Sequence, residues 1–230
     1  MHIIQRRKFI AGFGLTASLL VLPAQARAQL GLGGLNLSSL LGKATDSALD
    51  QLAQPGAFFN DEDVRIGLPI GGGGSSGLLG SVMDLGRKSG LMDDVTRQIN
   101  DAAGMAAGEA KPIFRDAIDN LSFDDAPGIL EKSDGGTQYL RQSSNDTLHE
   151  KLSPLVDDAL GELGVYDTVD SIGKKNSLIS QAGLNRESIN KSVTDQGLDG
   201  IFTYVGKEEA DFRKNPLDGV TKSLGGILGS

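Results

Sequence analysis

The sequence predicts an all-α protein: about eight helices in an irregular bundle, with no substantial sheet. Apolar residues recur at helical spacing over long stretches, the one β-like segment contains a proline, and many of the 32 glycines among 230 residues fall where helices would end.

In chain order, residues 29–36 are a Leu/Gly stretch read as a flexible leader, ahead of a single helical domain over residues 37–230. From Leu37, the residues Leu40, Leu41, Ala44, Ala48 and Leu52 keep a helical register until Pro55-Gly56 stops it. Residues 64–70 are extended, a connector or at most an edge strand because of Pro69, and the Gly-rich run 71–77 reads as a flexible loop. A short helix over 78–87 ends near Gly90. The clearest stripe runs through Leu91, Val95, Ile99, Ala103, Ala106, Ala110, Phe114, Ala117 and Leu121, with Gly104, Gly108 and Pro112 forcing a break in its middle.

Ser122 and Asp125 open a short helix through Glu131, and Asp134-Gly135-Gly136 reads as a turn. A second long stripe starts at Thr137 and passes through Leu140, Leu148, Leu152, Leu155, Ala159 and Leu163, kinked at Pro154 and closed by Gly164. Residues 165–179 are weakly patterned and 181–185 form a turn. Helix returns from Glu187 through Phe212, and Asn215-Pro216 starts a terminal one with Leu217, Val220 and Leu224.

Residues 1–28 carry the order of a cleavable twin-arginine export signal: Arg6-Arg7, an uncharged apolar run over 9–22, then Ala24, Ala26 and Ala28. The run is too short to span a bilayer, which needs about 20 helical residues. The expectation is a periplasmic protein, cut near Ala28-Gln29, with no membrane span after cleavage. Cleavage removes Arg6, Arg7, Lys8 and Arg27 and no acid, taking the formal charge from −8 to −12. That charge argues against a nucleic-acid partner. Zero cysteines exclude disulfides, thiolate metal sites and c-type haem.

Chemical motifs fail in turn. Gly72, Gly74 and Gly77 match a dinucleotide glycine pattern, but no series of strands follows. Asp146 and His149 have half the spacing of a di-iron site, and the second histidine is missing outside residues 1–28. No cofactor and no metal is expected.

One feature departs from the helical pattern. Leu198, Ile201, Phe202, Val205 and Phe212 form an apolar stripe interrupted by Glu208 and Glu209. A carboxylate on a core face must be paired, protonated or facing a cavity. The candidate buried ion-pair or binding residues are therefore Glu208 and Glu209 with Arg65, Arg141 and Arg213. A catalytic role for Glu208 or Glu209 is the weaker alternative.

Several segments carry a resemblance: Val64-Arg65-Ile66 with Leu68-Pro69, Ala110 to Phe114, Asp125-Ala126 with Gly128-Ile129-Leu130, Tyr139 with Arg141, and Gly197 to Phe202 through Glu208-Glu209 to Arg213 and Asn215-Pro216. Together they resemble the bacterial family called domain of unknown function 4197, over nearly all of residues 37–218. The resemblance implies an exported helical protein and no assigned activity. The chain departs from the family pattern at Gly67, where proline is usual, at Ser143, where lysine is usual, and in the 71–77 loop. The expected function is a non-enzymatic exported protein binding a protein partner in the cell envelope. The alternatives are a bundle binding a small apolar or lipid ligand, with Glu208, Glu209 and Arg65 lining an interior pocket, and a carboxylate-dependent hydrolase using Glu208 or Glu209.

Overall fold

A computed structural model describes residues 32–69, 91–122, 129, 131–175 and 185–214. Seven helices lie among them: α1 Leu32–Leu52, α2 Ala57–Asn60, α3 Leu91–Glu109, α4 Lys111–Asp119, α5 Gly135–Glu162, α6 Val165–Lys175 and α7 Arg186–Lys214. No strand occurs among the described residues, so the chain is all-α. None of these helices is long and apolar enough to cross a membrane.

The apolar stripes become the core. Helix α1 buries Leu41, Ala44, Ala48, Leu49 and Leu52, and its small residues let α7 lie close. It begins at Leu32, inside the stretch read as a leader, with Leu32 and Leu35 extending the helical spacing. Gly56, at φ 75°, ends the turn after Pro55 and starts α2, a single turn that buries Phe58. The sequence gives no sign of α2 because four residues are too few for a period.

The expected break in the long central stripe falls at Ala110, between α3 and α4, with Pro112 in the first turn of α4 where its missing donor costs nothing. Helix α5 runs through Pro154 and is closed by Gly164 at φ 70°. Its start corrects the sequence reading: Gly135 and Gly136 belong to the helix rather than to a turn. Residues 165–175, weakly patterned in sequence, form α6, held mainly by buried Val165 and Val169. Helix α7 opens on Asn185, whose Oδ1 accepts from Ser188 N–H at 2.9 Å.

Helix α7 lies centrally, packed along α1 on one side and α5 on another. Phe202 of α7 meets Phe114 of α4 edge-on, centroids 6.1 Å apart. The connector over 61–69 crosses α7 at Gly200, where an added Cβ would stand 2.9 Å from the Phe58 ring and 3.2 Å from Val64.

That connector turns at 62–64, where Arg65 N–H bonds back to Asp61 O at 2.9 Å, and then runs on without regular structure; among the described residues no strand pairs with it. Two side-chain amides take the place of neighbouring strands. Asn100 of α3 accepts from Ile66 N–H at 2.8 Å and donates to Ile66 O at 2.9 Å. Gln196 of α7 does the same for Gly67, both at 3.0 Å. The expected helix over 78–87, the 71–77 loop, most of the helix over 122–131 and the terminal helix after Asn215 lie outside the described residues.

Candidate functional site

Helix α7 carries Phe202, Val205 and Glu209 inward, and Glu209 is fully buried. A lone buried carboxylate would cost several kcal/mol, so its partners decide its role. Its Oε1 accepts from Gly136 N–H at 3.0 Å and from Arg213 Nε and Nη2 at 3.0 and 2.6 Å. Its Oε2 accepts from Thr137 N–H and Thr137 Oγ1, each at 2.7 Å. Five donors meet two oxygens with about four lone-pair sites. The carboxylate is saturated.

Gly136 and Thr137 lie in the first turn of α5, where backbone N–H groups lack partners within the helix and the helix dipole is positive. Asp134 precedes the helix but makes no side-chain cap; its carboxylate accepts from Gln138 Nε2 instead. Glu209 supplies the missing cap from α7. The glycine pair makes this approach possible: a Cβ on Gly136 would stand 2.8 Å from Glu209 Oε1, and one on Gly135 only 2.0 Å from Ile129 O. Arg213 also points Nη2 at Ile129 O, 3.4 Å away. One ion pair thus ties the end of α7 to the start of α5 and to the segment before it.

Glu208 belongs to a different contact. It is half-buried and its Oε1 accepts from Gln51 Nε2 of α1 at 2.8 Å. Neither Arg65 nor Arg141 pairs with either acid. Arg141 pairs with Asp199 and lies over the Phe202 ring at 5.4 Å. Arg65 lies at the surface over Phe59, its Nε donating to Phe59 O at 2.5 Å. Of the candidate cations, only Arg213 pairs with Glu209, at the i,i+4 spacing the sequence shows.

His149 places Nε2 3.0 Å from Asp195 Oδ1, an α5 to α7 contact rather than a metal half-site with Asp146. Among the described residues no group of three or more His, Cys, Asp or Glu could hold a metal ion. Two half-buried tyrosine–aspartate contacts add to these. Tyr204 donates to Asp61 Oδ2 at 2.6 Å, which lowers the Asp61 carboxyl below the usual range and pushes Tyr204 up to about 12. Asp157 is lowered by Arg186 and then by Tyr166, while burial and Asp157 raise Tyr166.

A groove of about 540 Å³ runs beside the Glu209 contact, between the start of α5 and the end of α7, and is lined by Asp134, Thr137, Arg141, Phe202, Gly206 and Lys207. The sequence reading missed the amide clamps of Asn100 and Gln196 and the role of Arg97, whose guanidinium stands 4.2 Å from the Phe59 centroid. A polar Asn100 next to the apolar stripe of α3 was the one available signal, since a buried amide must find partners.

The model of the family described as protein of unknown function (DUF4197) matches residues 34–229, and the chain belongs to that family. No curated protein and no solved structure matches it.

Proposed function

We propose that this member of a family of unknown function is a non-enzymatic helical protein that binds a protein partner in the cell envelope after export. The observation that carries the reading is the saturation of Glu209. The acid best placed by burial to do chemistry accepts five hydrogen bonds within the fold, and no lone pair is left to meet a substrate proton. Glu208, turned to Gln51, lends no more to a hydrolase. The periplasmic location rests on Arg6-Arg7, the apolar run after them and the alternating alanines before Gln29.

A second reading, a small-ligand site, draws on the groove between α5 and α7, whose volume lies within the range of roughly 300–1,000 Å³ common for ligand sites. One experiment weighs the two. Site-specific photo-cross-linking of the full chain in living cells, with native mass spectrometry of gently purified protein, should give a discrete protein adduct and no retained ligand mass. A retained ligand without any adduct would move the assignment to the groove. For export, a reporter fused to residues 1–28 should stay inside cells that lack the twin-arginine translocase.

A further inference from the structure

We propose that Arg65 and Arg97, stacked on the single ring of Phe59, form a docking site for a carboxylate of a partner protein whose surrounding surface is basic. The inference rests on the protein-partner reading above and names the surface and the partner chemistry.

The first observation is a departure from how this chain uses arginine. Arg115, Arg141, Arg186 and Arg213 each pair with a carboxylate, of Asp46, Asp199, Asp157 and Glu209 respectively. Arg65 and Arg97 are the described arginines that form no ion pair. Arg97 has Asp93 four residues before it and Asp101 four after, the spacing at which a helix offers ion pairs. It takes neither, and its guanidinium lies over Phe59 at 4.2 Å, with that of Arg65 at 5.3 Å from the same centroid. Both arginines are exposed.

The second observation is that these exposed side chains are held in place. Phe59 sits on α2, whose entry is set by Gly56 at φ 75°. Arg65 N–H donates to Asp61 O at 2.9 Å, and its Nε to Phe59 O. Its neighbours Val64 and Ile66 are buried while Arg65 itself is exposed, and Asn100 fixes Ile66 from α3, one turn beyond Arg97. Ordering a free surface arginine opposes binding; here that ordering is already present. The pair still offers most of its guanidinium donors, in the fork geometry that fits a carboxylate or a phosphate.

The surrounding charge selects between those. Asp63 is tied to Lys207, but Glu62, Asp93, Asp94 and Asp101 lie within a turn or so of the two arginines along the chain. A phosphate-rich membrane surface presents continuous negative charge and would meet these acids as well as the arginines. A protein side-chain carboxylate flanked by lysine or arginine meets both, and suits a chain of formal charge −8.

The test follows the arginine Nε–H resonances of the full chain by NMR at low salt. The probes are a short peptide of alternating glutamate and lysine, inorganic phosphate, and phosphatidylglycerol vesicles. The peptide should shift Arg65 and Arg97, while phosphate and vesicles leave them unmoved. R65K and R97K keep charge and fold, checked by melting temperature, and each should weaken peptide binding about fivefold or more because the planar fork is lost. A response to phosphate or vesicles, peptide binding unchanged in both variants, or no peptide response at these two residues would each overturn the site. A protein that cross-links a partner in cells yet shows no response at Arg65 and Arg97 loses this site and keeps the partner reading; one that cross-links nothing loses the reading itself.

Discussion

Replacing Glu209 by glutamine keeps the shape of the side chain and removes its charge and half of its acceptors. The amide oxygen can still serve two donors, but the new NH₂ faces groups that are themselves donors. Turned one way, the NH₂ meets Thr137 N–H, with the Thr137 hydroxyl able to rotate and accept; turned the other way, it meets Gly136 N–H and Arg213. Arg213 keeps only 19% of its side chain exposed, so its charge becomes poorly compensated. Breaking one partner of a buried ion pair costs about 3–5 kcal/mol, and each buried donor left unpaired about 1–3 kcal/mol. These overlap, so a loss of about 3–4 kcal/mol is expected. For a chain of this size that is a fall of roughly 6–16 °C in Tm. Urea unfolding followed by circular dichroism should show a lower midpoint at unchanged slope. Arg213→Met should cost a similar amount, about 3–5 kcal/mol, because the fully buried Glu209 keeps three donors from Gly136 and Thr137 but loses its counter-charge. Glu208→Gln should change stability by under about 0.5 kcal/mol, as expected for an exposed contact. If Glu209→Gln melts within about 2 °C of the parent, the capping argument is wrong.

Three further outcomes follow from the same geometry. Gly136→Ala should destabilise by about 1–3 kcal/mol in urea titration, although alanine is the better helix former, since its Cβ would stand 2.8 Å from Glu209 Oε1. Asn100→Ala leaves buried Ile66 N–H and C=O without partners and should cost about 2–4 kcal/mol; hydrogen exchange should speed at Ile66, and Gln196→Ala, at a more exposed clamp, should do less. Asp61 and Asp157 have folded-state pKa values below the ordinary carboxylate value. Their contribution is therefore complete above about pH 4 and is lost as pH falls through the lowered values. The urea midpoint should drop from about pH 4 downward, and Asp157→Asn should flatten that drop; equal slopes in the two proteins would refute the assignment.

Much of this fold is written in short-range pattern. The stripes of α1, α3, α5 and α7 read directly because each buries one continuous face, and Pro55-Gly56, Pro112 and Gly164 punctuate them. Helix α6 has a helical stripe, Val165, Val169 and Ile172, but it is only three residues long and Ile172 is no more than half-buried, so it stands out little from its surroundings. The Gly135-Gly136 pair misled for a better reason. Locally two glycines after aspartate are turn chemistry, and what makes them helical is a carboxylate more than 70 residues further along the chain. The amide clamps on Ile66 and Gly67 are hidden in the same way, since each joins a connector to a distant helix.

Glu208 and Glu209 stand side by side in the chain yet serve different contacts. A gap in an apolar stripe identifies a position where burial and charge conflict, and it did find Glu209. It could not enlist Glu208 for the same task, because consecutive helical residues differ by about 100° around the axis and meet different neighbours. Here one meets α1 and the other the start of α5. The i,i+4 relation between Glu209 and Arg213 already favoured an ion pair within α7. What only the fold could add is that the same carboxylate also closes the first turn of α5, so that its loss should unsettle two helix ends at once.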